Sequence, residues 1–379
     1  MTSAPPTPID RSMNHEEALA WARSMVEPLA ERATETERLR QLPEATMAEA
    51  MSADIFKLVV PREHGGWGLG LRTLVNVPRI LAQGCVSSAW TLSFLVLHNW
   101  FIARGPEELQ RDVFAKRPFA LIPFPLAPTG TAVPTDGGYL LTGRWQWATG
   151  VQHGDWVMVN SIVANDDDGG PPETRFCLLP IEDVEVVDVW DTAGMRGTGS
   201  NDVATESVFV PSHRTLRGQD LRGEHPPGAD RSADPFVRYP FTPVLTLVAS
   251  APALGGAEAA VEHFRDRIRT RVLPYSLGDR QVEQPASQIR LAEALATVRA
   301  ARLVWEDAVD RVVDAAESGR TLEPVERGQL RLATAHTVRM SVQALGIIVE
   351  GAGASVHMAD SPIGRIHRDL VTLKGHVVY

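Results

Sequence analysis

The sequence predicts an α+β protein in which one β module is set between two helical blocks. Three observations carry that expectation. Residues 14 to 104 place apolar side chains at helical spacing, residues 138 to 211 switch to short β-rich runs broken by turns, and helical spacing returns from Leu245 to the end. The expected boundaries are 1–121 for an N-terminal helical domain, 122–213 for a middle β-barrel or sandwich domain, and 214–379 for a C-terminal four-helix bundle.

In chain order, residues 1–13 read as a disordered leader. Asn14 can cap a helix ahead of Glu16 and Glu17, and Ala18, Trp21, Met25, Leu29 and Ala33 then recur on one face. Pro28 falls inside that run and is a point for a kink. Pro43 opens a second helix through Met51 and Phe56, and Val59 to Gly68 is a glycine-rich loop. A helix from Leu71 to Gln83 ends at Gly84. The next, Ser87 to Arg104, is nearly all apolar and therefore expected inside; its exceptions are Ser87, Ser88, Thr91, Ser93, His98 and Asn99. Five prolines between Pro118 and Pro134 lead into the β module.

The module opens with Asp136-Gly137 ahead of the β-rich run Gly138 to Gly150, a hairpin signal. Further strands are expected over Asp155–Val163, Arg175–Pro180 and Val208–Pro211, with a solvated loop at 165–172. Two corners, at 147–150 and 194–200, combine glycines with hydroxyls and suit a planar polar ligand. A polar connector follows to about Asp234. Helices then run over Leu245–Arg269, Ser287–Ser318, Pro324–Val349 and Ile363–His376. In the second of these, Leu291, Leu295, Val298, Arg302, Trp305, Val309 and Val312 alternate steps of four and three along one bundle seam; Arg302 there is either at a lobe edge or paired.

Composition narrows the function. The net charge of −10 argues against nucleic acid as the main partner, because phosphate binding wants a basic face. Cys85 and Cys177 make neither a disulfide framework nor a metal quartet, which suits a reducing cytoplasm. No signal peptide and no uninterrupted apolar run of membrane length is read. No strand–glycine loop–helix unit for a nicotinamide dinucleotide is visible either.

Several segments, in order, resemble the acyl-CoA dehydrogenase family over nearly the whole chain. They are Pro61 to Gly68, the Trp145-x-x-x-Thr149 pattern, Gly194 to Ser200 followed by Val208 to Pro211, and Arg365-Ile366-His367-Arg368-Asp369. Within that fold, three stretches are similar to the reduced-flavin monooxygenases, the oxygenase components of two-component hydroxylases. These are Gly84-Cys85-Val86-Ser87-Ser88-Ala89-Trp90 with His98-Asn99-Trp100, Gly143 to Gly150 with His153 to Trp156, and Arg196 to Asp202. The family's dehydrogenases need a carboxylate base. The two positions where they keep it fall near Val377 and Leu245 here, both apolar.

The resemblance implies an oxygenase that receives reduced FMN or FAD from a separate reductase. Through a flavin C4a-hydroperoxide it would pass one atom of O2 to a small, aromatic or natural-product substrate, working as a homotetramer. The alternatives are a flavin desaturase of the dehydrogenase type, or a non-redox binding or cyclase scaffold on the same fold.

The resemblance also implies site residues, each set against a plainer reading. Thr149 matches the hydroxyl near the flavin N5; otherwise it is a β-branched strand residue. Trp147 lies over flavin or substrate, or in the core. Arg196, Thr198 and Ser200, with Gly150 and Gly199 in the same corners, suit a phosphate or ribityl chain. His98 is a base or donor beside the substrate, flanked by Trp90 and Trp100, or a satisfied core histidine. His376 matches a histidine at the flavin edge, and a further family histidine is Val371 here. Arg271 reaches a flavin phosphate across a subunit interface, or belongs to a solvated face with Arg265, Arg267 and Arg269.

Overall fold

A computed structural model describes residues 12–164, 172–274 and 276–379. The expected leader and the loop at 165–172 fall almost wholly outside them. Helix α1 (His15–Ser24) starts as the sequence indicates: Asn14 Oδ1 accepts from the Glu17 N–H at 3.0 Å, and the Glu17 carboxylate accepts from the Asn14 N–H at 2.8 Å. The chain breaks at Met25 before α2 (Val26–Leu39). Pro28 explains the place, since it offers no N–H to the carbonyl of Ser24 and its ring crowds that carbonyl. Helix α3 (Glu44–Ser52) stops short of Phe56, which lies in a separate turn of 3-10 helix entered through a left-handed Asp54.

Helices α4 (Leu71–Leu81) and α5 (Val86–Ala103) follow, and every residue of α5 is buried. A short α6 (Glu107–Phe114) was not expected; its charged residues outnumber the buried Leu109, Gln110 and Val113 and mask the periodicity.

Among the described residues, seven strands form one hydrogen-bonded sheet: β1 (Gly130–Thr135), β2 (Gly138–Ala148), β3 (Trp156–Val163), β4 (Thr174–Pro180), β5 (Glu185–Val187), β6 (Asn201–Pro211) and β7 (Thr215–Arg217). Their order is β5-β6-β2-β1-β3-β4-β7. The expected hairpin is β1–β2, with Thr135 opposite Gly138 across Asp136-Gly137. Strand β1 lies in the proline-rich lead-in, and β6 starts at Asn201 rather than Val208. Strands β5 and β7, three residues each, are too short for alternation to mark them. One face buries Leu141, Trp145, Val157, Val159, Leu179 and Val203. Trp145 fills its centre, its indole N–H donating to the Asn160 carbonyl at 2.6 Å, and a Cβ on Gly130 would stand 2.0 Å from that ring.

The connector holds α7 (Gly218–Arg222), and the bundle consists of α8 (Phe241–Thr270), α9 (Pro285–Glu317), α10 (Pro324–Ala352) and α11 (Pro362–Leu373). Buried Arg104, at the end of α5, donates to the carbonyls of Leu221, Gly223, Val237 and Tyr239, and so ties the connector to the central helix. The seam of α9 differs from expectation. Val298, Trp305, Val309 and Val312 are buried, but Leu295 is 53% exposed; Ala294 and Ala301 take the inner positions instead. Arg302 is paired, with Glu306 at 2.9 Å. By length and composition α5, α8 and α10 each reach the measure of a membrane span, contrary to the expectation of none; all of α5 and most of the apolar stretch of α8 are buried inside the protein.

Candidate active site

Helix α5 presents Trp90, Phe94 and His98 at steps of four, hence on one face. Their rings run in series: Trp90 to Phe94 at 4.6 Å and Phe94 to His98 at 5.5 Å between centroids. Phe124 closes on His98 edge to face at 5.4 Å. His98 is buried, and its Nδ1 lies 2.5 Å from the carbonyl of Ile122. A carbonyl only accepts, so Nδ1 carries the proton and Nε2 keeps a lone pair. Burial pushes the imidazole down to about 3, so it is neutral throughout the working pH range.

At the end of β2 the alternation of inward and outward side chains slips, because the register with β6 shifts between Trp145 and Ala148. Trp147 is consequently not in the core. It is 54% exposed and meets Trp190 edge to face at 5.7 Å. Trp190 is held in turn, because Asn201 Oδ1 accepts from the Val189 and Trp190 N–H groups, both at 2.9 Å.

Two residues on, Thr149 meets the second corner. Its Oγ1 lies 2.9 Å from Ser200 Oγ, which lies 2.7 Å from Thr198 Oγ1. The Trp90 indole N–H points at Thr149 Oγ1 from 3.4 Å, and Thr198 Oγ1 donates to the Met195 carbonyl at 2.9 Å. Gly150, at φ +71°, donates its N–H to the Thr198 carbonyl at 2.9 Å. Gly199 also has positive φ, and a Cβ there would come 2.5 Å from Gln152 Oε1. The two glycine- and hydroxyl-rich corners picked out in the sequence are thus joined.

His376 joins them from the far end of the chain. It lies beyond α11 rather than on it, edge to face with Trp90 at 5.1 Å, and burial pushes it down to about 4. Tyr379 anchors that tail by donating its hydroxyl to the Ala249 carbonyl at 2.7 Å.

Three residues sit elsewhere or otherwise than expected. Trp100 is fully buried, stacked on Phe236 at 5.1 Å, and its N–H donates to the Phe236 carbonyl at 2.8 Å, which are the contacts of a core residue. Arg196 turns out of its loop to Asp191 at 2.7 Å and to the Thr192 carbonyl at 2.8 Å. Arg271 caps the end of α8 and donates to the Ala352 carbonyl at the end of α10; among the described residues it has no hydrogen bond to the Thr149 corner.

The sequence reading missed Asp369 as a positioning group, although it noticed the Arg368-Asp369 pair. Its buried carboxylate accepts from the Met195 N–H at 2.6 Å and stands 3.4 Å from Ser87 Oγ. Burial raises it to about 7. Phe94 and Phe124, which complete the aromatic wall, carried no signal beyond apolarity. Among the described residues, no carboxylate bonds to Thr149, Ser200, Trp90 or His376. Val377 is 76% exposed, and Leu245 is buried in α8.

Comparison with known proteins fits this arrangement. Residues 10–117 match the acyl-CoA dehydrogenase N-terminal domain, and residues 247–379 match the acyl-CoA dehydrogenase C-terminal domain. A pigment production hydroxylase of Rhodococcus sp. is 32% identical over 353 residues, covering 93% of this chain and 90% of that one. The chain belongs to the acyl-CoA dehydrogenase family. Its place in the family is among the flavin-dependent monooxygenases. The oxygenase subunit HsaA of Rhodococcus jostii, a flavin-dependent monooxygenase, is 30% identical over 91% of this chain and 90% of its own. XiaF from Streptomyces sp., solved in complex with FADH2 and glycerol, superposes with a TM-score of 0.90 at 28% identity, covering 96% of this chain and 91% of that one.

Proposed function

We propose that this family member is the oxygenase component of a two-component system, taking FMNH2 or FADH2 from a separate reductase and using O2 to hydroxylate a small aromatic molecule. The observation that carries the reading is the meeting of a hydroxyl cluster with an aromatic wall that holds two neutral histidines and, among the described residues, no carboxylate base. A flavin ring is planar, with apolar faces and a polar edge. Exposed Trp147 beside Trp190 offers an apolar surface, and Thr149 with Ser200 offers a polar edge two residues away, so the residues present fit the group. When bound, reduced flavin supplies the electrons that activate O2.

The chain's own residues do the rest. Thr149 bonds the polar edge of the ring. Phe94, Phe124 and Trp90 exclude water from the space beside it. His98, unprotonated at Nε2, accepts a hydrogen bond from a phenolic hydroxyl and so orients the substrate and raises electron density on its ring. His376 lies across Trp90 at the other side.

The assembly we propose is a homotetramer. Leu295 and Leu303 on α9 and Leu332 on α10 are each more than half exposed and offer apolar contact area. In that assembly Arg271 serves a flavin phosphate of a neighbouring subunit.

The deciding experiment supplies flavin reduced by a reductase, O2 and a panel of phenols, and follows oxygen uptake with hydroxylated product. Oxidation of an acyl-CoA thioester, with no hydroxylated product from any phenol, would sink the proposal in favour of a dehydrogenase.

A further inference from the structure

The polar groups around Thr149 form a row whose two ends cannot be reversed. At one end the indole N–H of Trp90, which only donates, faces Thr149 Oγ1 from 3.4 Å. At the other the carbonyl of Met195, which only accepts, lies 2.9 Å from Thr198 Oγ1. Between them Thr149, Ser200 and Thr198 are linked at 2.9 and 2.7 Å. Three hydroxyl protons serve three contacts. Thr198 must donate to Met195; Ser200 must then donate to Thr198, and Thr149 to Ser200. The opposite order would set two oxygen lone pairs against each other at 2.9 Å between Thr198 and Met195.

The inner end of the row is closed to other partners. Thr198 is 1% exposed and Ser200 is 4% exposed, so water does not offer their protons an alternative. Met195 is fixed as well. Its N–H is held by Asp369, and its carbonyl also accepts from the Trp190 indole N–H at 2.8 Å. Thr149 alone is half-buried, with its proton committed inward and a lone pair left for the site.

We infer that this row makes Thr149 an acceptor only, and that Ser200 and Thr198 thereby select the redox form of the flavin. Reduced flavin carries a hydrogen on N5, and an acceptor satisfies it. Oxidised flavin presents a lone pair at N5, and an acceptor opposes it. The inference rests on the placement of Thr149 at the flavin edge proposed above. It adds a cause for preferring the reduced form, located in two residues that need not touch the flavin themselves.

The test is a set of binding titrations with the whole protein, with no turnover. FMN and FAD are each offered oxidised, and reduced by light under argon, to the parent, Ser200→Ala, Thr198→Val and Thr149→Ala. Removing either inner hydroxyl lets the Thr149 proton swing outward. The ratio of dissociation constants, oxidised over reduced, should therefore fall about two- to ten-fold in Ser200→Ala and in Thr198→Val, the scale of one neutral hydrogen bond. Thermal melting confirms that each variant is folded. Unchanged ratios in both, while Thr149→Ala still weakens reduced-flavin binding, would overturn the inference and leave the placement of Thr149 standing. Affinities untouched by Thr149→Ala would overturn the placement itself, and the inference with it.

Discussion

Trp90 and His376 meet edge to face, ring centroids 5.1 Å apart, and that contact joins the buried helix α5 to the tail beyond α11. The same indole sends its N–H toward Thr149 at 3.4 Å. Trp90 therefore links three separate parts of the chain. Trp90→Phe keeps an aromatic ring for His376 but loses a long hydrogen bond and part of the buried indole, so it should cost about 1–2 kcal/mol. Trp90→Ala empties a core position and should cost about 3–5 kcal/mol. Urea denaturation separates the two. Equal losses would mean that the ring contacts contribute nothing.

His98 can be dissected by its two nitrogens. Asparagine places an N–H close to where Nδ1 sits, so His98→Asn can keep the donation to the Ile122 carbonyl while removing Nε2. Product formation should fall by about ten-fold if Nε2 accepts from the substrate hydroxyl, the scale of one neutral hydrogen bond, with melting nearly unchanged. His98→Phe removes both nitrogens and leaves the Ile122 carbonyl without its donor. A His98→Asn enzyme that hydroxylates at the parental rate would return His98 to the core.

The acid side of the stability profile has a definite sign. His98 is held near 3 and His376 near 4 in the folded chain, against about 6.5 for a free imidazole. The unfolded chain binds more protons in that window. The stability the two contribute is complete above about pH 6.5 and is lost as pH falls through 4 and 3. Asp369 runs the other way. Raised to about 7, it contributes stability below about pH 3.8 that is lost as pH rises through 7. Asp369→Asn can still accept from the Met195 N–H. Relative to the parent, its melting temperature should climb between pH 4 and pH 8, by an amount on the order of several degrees. His98→Asn should gain on the parent as pH drops from 6 to 4. Melting curves that run parallel for parent and variants across this range would contradict both assignments.

What could be read in the sequence follows from where the information is local. Helix α5 was legible because it is apolar all round, and the β1–β2 hairpin because Asp136-Gly137 is turn chemistry. The joined corners were legible as glycine and hydroxyl clusters, though not the row of bonds between them. Two tryptophans show the limit. Trp100 lies two residues from His98 and reads as its neighbour in function, yet a partner 136 residues away, Phe236, claims its N–H. Trp147 stands in a strand and reads as core in the absence of a flavin, yet a register shift against β6 turns it outward. Neither fact is a property of nearby residues. The Asp369–Met195 bond spans 174 residues and is of the same kind.

The proposed tetramer can be tested without touching the site. Leu295→Glu with Leu303→Glu places charge on an exposed apolar strip of α9. The fold of the single chain should lose little, within about 1 kcal/mol. Sedimentation should then show smaller species, with flavin affinity reduced if Arg271 serves a neighbouring subunit. A parent protein that sediments as a monomer and turns over reduced flavin would exclude the assembly.

Thr149 and Arg196 mark the two corners, and their loss should be felt in different measurements. Among the described residues, Thr149 Oγ1 bonds to Ser200 and the Trp90 indole alone, and its side chain is half-buried at the edge of the site. Thr149→Ala should leave melting within about 1 kcal/mol of the parent and weaken reduced-flavin binding several-fold, the scale of one neutral hydrogen bond. Oxygen uptake should then yield more hydrogen peroxide and less hydroxylated product. Arg196 is a tether in this structure. Its guanidinium holds Asp191 at 2.7 Å and the Thr192 carbonyl at 2.8 Å, and so closes the loop that carries Trp190 and Met195. Asp191 is largely exposed, which limits the worth of the ion pair, but the bond to the backbone is charge-assisted and partly sheltered. Arg196→Ala should therefore cost about 1–2 kcal/mol of stability, with product per flavin oxidised near parental once flavin is saturating. Arg196→Lys keeps the charge but not the planar fork, and should restore little of the loss. If Arg196→Ala instead melts like the parent and loses flavin affinity by about ten-fold or more, Arg196 leaves Asp191 for a flavin phosphate when the cofactor binds, and its role is that of a ligand rather than a tether.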